Sequence, residues 1–68
     1  MRELIVSVDG KHYKGTWDTW EDEAWGRMVK VSREAWVVKA PTGDDDPEHV
    51  AHRCLEWCVA ESLADRRR

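Results

Sequence analysis

The chain has no phenylalanine, asparagine or glutamine, and only two cysteines, two prolines and four glycines in 68 residues. Each scarcity closes an option. Cys54 and Cys58, four apart in a helical stretch, cannot build the disulfide framework of a small secreted domain. A bridge within one helical turn is also geometrically awkward. Reduced thiols, and with them a cytoplasmic location, are the simpler expectation. The glycines at 10, 15, 26 and 43 are dispersed, so there is no phosphate-cradling loop, and each reads as turn or bulge chemistry. No apolar run approaches the ~20 residues of a membrane span. The start MRELIVSV lacks an apolar segment of signal-peptide length, so neither membrane insertion nor a leader is expected. A basic excess is missing too: the formal net charge is -3, the wrong sign for a generic polyanion binder.

What is present is tryptophan, five residues of it. A chain of 68 residues makes a single domain over 1–68, near the lower limit for a core that folds unaided. Each buried indole removes on the order of 200 Å² from water, worth several kcal/mol at roughly 25 cal/mol per Å². Charge is abundant and clustered. Asp18, Glu21, Asp22 and Glu23 form one acidic group, Asp44, Asp45, Asp46 and Glu48 a second, and Arg66, Arg67 and Arg68 the basic run.

Local patterns predict an α+β fold: a small antiparallel β-meander of three to four strands with one C-terminal helix packed on one face. Leu4, Val6 and Val8 alternate with Glu3, Ile5 and Ser7, the period of a strand. Asp9-Gly10 then suits a two-residue type I′ hairpin loop. That loop sets Val8 against Lys11, Val6 against Tyr13 and Leu4 against Gly15, and it puts Trp17 on the core side. Strands are expected over about 3–8, 11–17, 27–32 and 35–40. Residues 18–26 read as an acidic connection, with at most a short helical turn, and residues 32–34 as the turn before the fourth strand. Asp46 as N-cap, Pro47 at the first helical position and Glu48 near the dipole's positive end predict a helix over about 47–65. Arg66–Arg68 favour its other end. Val50, Ala51, Cys54, Leu55, Cys58 and Ser62 share one arc of that helix, opposite His49, His52, Arg53, Glu56 and Ala60.

The run V-D-G-K-x-Y-x-G-x-W, the strand G-R-M-V-K-V-S and the Pro-initiated helix together resemble a group of short uncharacterised bacterial proteins. These share a Gly-Lys-x-Tyr-x-Gly hairpin, a Gly-x-Val-x-Val strand and a final helix. The resemblance spans Val8–Ser32 and, more loosely, Asp46–Glu61, and this chain departs from it by inserting Asp18–Trp25. It implies the fold and no catalytic residue.

Catalytic and metal chemistries find little purchase. His49, His52, Cys54 and Cys58 lie close in sequence, but a single helix sends both cysteines nearly opposite His49. A tetrahedral zinc site needs convergence. His52 and Glu56 could form a half-site with an external ligand; a solvent-facing pair is the simpler reading. A cysteine nucleophile would need a base and a lowered pKa, neither of which a mid-helix core position offers. Asp44–Asp46 lacks the alternating spacing of a calcium loop. No cofactor, metal or catalytic set is expected, and the chain reads as non-enzymatic.

The tryptophans divide. Trp17 and Trp36 fall on core positions, and Trp57 at the margin of the helix's apolar arc. Trp20 and Trp25 belong to no expected element and sit among Asp18, Glu21, Asp22 and Glu23. Either one folds back as a lid, or they form indole anchors inside a polar rim, the composition of a binding hot spot. The second option points to a protein partner with a basic surface, or to self-association. The rival is a nucleic-acid-binding module in which sheet aromatics stack bases. His12, Lys14, Lys30, Lys39 and Arg66–Arg68 would supply its charge, and the acidic clusters oppose it.

Overall fold

The computed structural model describes residues 2–66. Strands β1 (Arg2–Val8), β2 (Lys11–Asp22), β3 (Gly26–Arg33) and β4 (Trp36–Pro41) form one antiparallel sheet in the order β1-β2-β3-β4. A single helix, α1 (Pro47–Arg66), crosses one face. The expected meander with its packed C-terminal helix is therefore the fold.

The first hairpin has the register that its turn dictates: Val8 faces Lys11, Val6 faces Tyr13 and Leu4 faces Gly15. Asp9 (φ 51°) and Gly10 (φ 78°) both take the left-handed conformation that a type I′ loop requires. The core is a single layer between sheet and helix. Leu4, Val6, Trp17, Val29 and Val31 meet Val50, Ala51, Leu55 and Val59 there. Val59, which the wheel reading omitted, is fully buried, as is Cys58. Asp46 caps the helix as expected, its Oδ1 accepting from the Glu48 N–H at 2.9 Å and its backbone carbonyl from the Val50 N–H at 3.1 Å. The side chains of Arg66–Arg68, expected to serve the helix's other end, lie outside the described residues.

Gly15 is neither a turn nor a bulge. It sits mid-strand under the helix, and a Cβ there would stand 2.8 Å from Leu55 Cδ1 and 3.0 Å from the Ser32 carbonyl oxygen. Only a residue without a side chain lets the helix come this close to the central strands.

Two boundaries differ from expectation. The third turn is Glu34-Ala35 rather than the expected 32–34, because Arg33 pairs with Trp36 and Glu34 takes the left-handed φ of 54°. Larger in consequence, Asp18–Asp22 is not a connection. Strand β2 runs on through it, and Thr19 pairs with Val29, Trp20 with Met28, Glu21 with Arg27 and Asp22 with Gly26. At about 3.4 Å per residue, a strand of this length spans roughly 40 Å, which matches the molecule's long dimension of 39 Å.

Candidate functional site

The far part of the β2–β3 hairpin, residues 18–28, is an arm that outruns β1. The β1 ladder on β2 closes at Arg2–Trp17, whereas the β3 ladder continues to Asp22–Gly26. The arm's turn is held by Asp22, whose Oδ1 accepts from the N–H of Ala24 at 2.8 Å and of Trp25 at 3.1 Å. Gly26, at φ 75°, lets the chain re-enter the sheet. This local hydrogen bonding is the usual turn chemistry of aspartate. Near the arm's tip the loop after β4 is pinned to β3, where the Thr42 N–H donates to the Arg27 carbonyl at 3.0 Å.

Alternation fixes what the arm displays. Trp17 is buried beneath the helix, so Thr19 and Glu21 share its side of the sheet, and Asp18, Trp20 and Asp22 point to the open face. Trp20 is in register with Met28, beyond which lies Pro41. It retains 36% of its exposure, and Trp25, at the tip, retains 68%. Neither indole folds back as a lid over the core.

The four acids of the sequence cluster do not form a uniform rim. Glu21 Oε1 accepts from Arg27 Nε at 3.0 Å. Asp22 holds the turn, Asp18 stands opposite Lys30 in the ladder, and Glu23 lies exposed in the turn itself. The arm nonetheless carries four carboxylates against one guanidinium, Arg27. The exposed run Asp44–Asp46 leaves the sheet just after Thr42, on the β4 side of the arm.

The remaining tryptophans belong to the body, where Trp57 keeps 52% of its exposure. Trp17 belongs to the core, with the Arg2 guanidinium 5.1 Å from its ring centre. Trp36 is half-buried rather than part of the core, and Trp57 meets it edge to face with ring centres 6.5 Å apart and planes at 81°. This pair closes the sheet margin.

Elsewhere the chemistry is spare. His52 and Glu56 form an exposed pair, Nδ1 to Oε1 2.8 Å. Asp46, Glu48, His49 and His52 border an open depression at the start of the helix, yet among the described residues no three His, Cys, Asp or Glu side chains converge where a metal would sit. Cys54 and Cys58 are free thiols. Burial pushes both above the ordinary thiol pKa, against the opposing pull of Arg53 on Cys54; Cys54 adds to the rise at Cys58 and Arg33 opposes it. Cys58 is fully buried and Cys54 packs partly buried against the core, where each thiol acts as a small apolar side chain. Among the described residues no helix is long and apolar enough to cross a membrane.

The open face carries Lys14, Lys30 and Lys39, but Glu3 engages Lys14 at 3.0 Å and Asp18 lies across from Lys30. It is a mixed face and not a basic track. No family model matches the chain, nor does any curated protein or solved structure.

Sequence reasoning chose Trp20, Trp25, Asp18, Glu21, Asp22 and Glu23 as one candidate site, and all six lie on the arm. It missed Thr19 and the strand character of the whole segment. The signals were there in the Thr-Trp pair, which favours strands, and in Asp22 four residues before Gly26.

Proposed function

We propose that this is a small non-enzymatic domain that works by protein–protein contact, with the β2–β3 arm as its contact element and Trp20 and Trp25 as its anchors. The observation that carries this reading is Trp25. An indole that keeps 68% of its exposure at the tip of a hairpin adds little to the core, and in a chain short of apolar area that is a cost. Its use is an interface, where aromatic side chains dominate the binding energy. The excess of carboxylates on the arm favours a partner with a basic surface and speeds the encounter. Small size and acidic charge fit an accessory or regulatory factor of bacterial or phage origin, and two free thiols fit a cytoplasmic setting.

The test is capture from a lysate of the encoding organism, with and without nuclease. A protein that survives nuclease and is lost with Trp20→Ala/Trp25→Ala supports the reading. An eluate that depends on nucleic acid transfers the role to the open face around Lys30 and Lys39. Capture indifferent to both indoles ends the proposal.

A further inference from the structure

Among the described residues, the arm leaves a strand edge open. In a two-residue hairpin the residues flanking the loop exchange both backbone hydrogen bonds, and such pairs recur at every second residue. Counting from Val8–Lys11, the residues of β2 that turn their N–H and C=O toward β1 are Lys11, Tyr13, Gly15 and Trp17. By the same alternation Thr19 and Glu21 turn theirs to that side. Among the described residues, no strand of the sheet lies there, and no backbone hydrogen bond to Thr19 or Glu21 comes from a turn, loop or cap. A free edge of this kind is a template for an added strand.

We infer that the Thr19–Asp22 edge of β2 accepts an extended segment of the partner protein as a fifth strand, and that this segment is basic. The inference rests on the protein–protein reading above and names its geometry. Charge chooses the occupant. Glu21 sits on the edge itself, paired with Arg27, Asp22 and Glu23 follow it, and the arm as a whole carries four carboxylates against one guanidinium. A second copy is the wrong occupant: a twofold pairing centred on Trp20 would set Asp18 of one chain against Asp22 of the other, and directly opposed like charges destabilise a sheet. A strand with lysine or arginine at alternate positions gains where a second copy loses. Its backbone would take up the groups of Thr19 and Glu21, and a side chain on the open face would lie beside Trp20.

The experiment uses the full chain and a labelled synthetic peptide of about eight residues, long enough to span the edge, alternating threonine with lysine. A threonine–glutamate peptide is the control. Binding is followed by anisotropy, and amide hydrogen exchange is followed residue by residue. Preference for the lysine peptide, with slowed exchange at Thr19 and Glu21, is the expected result. Thr19→Pro removes an outward N–H without touching the β3 ladder, and the loss of one hydrogen bond lowers affinity by about fivefold. Absence of binding, equal binding of both peptides, or binding without slowed exchange at Thr19 and Glu21 overturns the inference. If Thr19→Pro is silent while Trp20→Ala/Trp25→Ala abolishes capture of the cellular partner, strand addition falls and the indole contact stands. Should Thr19→Pro fail to fold, the exchange data on the unaltered chain decide alone.

Discussion

The two ends of strand β2 are built on different principles. From Lys11 to Trp17 it pairs with β1, joined by β3 at Thr16 and Trp17, and Gly15 and Trp17 are buried beneath the helix. From Asp18 to Asp22 its ladder partner among the described residues is β3, and no residue is buried. The first half is held by apolar packing. The second is held by ladder hydrogen bonds, the Asp22 turn and the Glu21–Arg27 pair, which is exposed and so worth under about 1 kcal/mol. One strand thus joins a stable body to an arm free to serve another purpose, and local opening should be easier in the arm.

Mutations can sharpen that contrast. Trp17→Ala should have the largest effect, about 3–5 kcal/mol for an aromatic lost from the core. A domain of this size holds only roughly 3–10 kcal/mol in total, so denaturant titration should find the variant unfolded or nearly so. Gly15→Ala comes next, at about 1–3 kcal/mol for overpacking, since the new methyl would press on Leu55. Because the Ser32 carbonyl is also close, Leu55→Ala in the same chain should restore only part of the loss, which a double-mutant cycle would measure.

Raising the pH gives a smaller effect with a definite sign. The folded thiols of Cys54 and Cys58 have raised pKa values, so the unfolded chain releases their protons first. Stability is therefore unaffected by these groups below about pH 8, and falls above the unfolded thiol pKa of about 8.5 until the folded thiols ionise in turn. Replacing both cysteines by alanine should flatten that alkaline slope in thermal melts. Trp25→Ala should do least, shifting stability by under about 0.5 kcal/mol as surface changes do. A large shift there would mean that the arm is part of the body after all.

The body was legible in the sequence because burial writes a pattern. Leu4, Val6 and Val8 alternate with residues that face away, Asp9-Gly10 fixes the register, and Asp46-Pro47 marks the helix start. The arm was not, for the same reason inverted. Asp18, Thr19, Trp20, Glu21 and Asp22 have no buried side, so no polar–apolar alternation records their strand geometry. Gly15 was misread because sequence cannot tell a glycine that turns from one that makes room. Of the site, the residues were legible and their arrangement was not: the acids looked like a ring, and the structure gives Glu21 and Asp22 separate duties within the hairpin.

The unequal burial of the tryptophans also makes the molecule its own optical gauge. Trp17 is enclosed in the core, Trp36 and Trp57 share a half-covered margin, and Trp25 stands in water. Indole emission shifts to shorter wavelength in apolar surroundings, and a soluble quencher reaches exposed rings first. Light quenched by low acrylamide therefore comes first from Trp25 and then from Trp57, and the protected remainder chiefly from Trp17. Occupation of the arm and unfolding of the core should leave distinguishable marks on one spectrum, with no label attached.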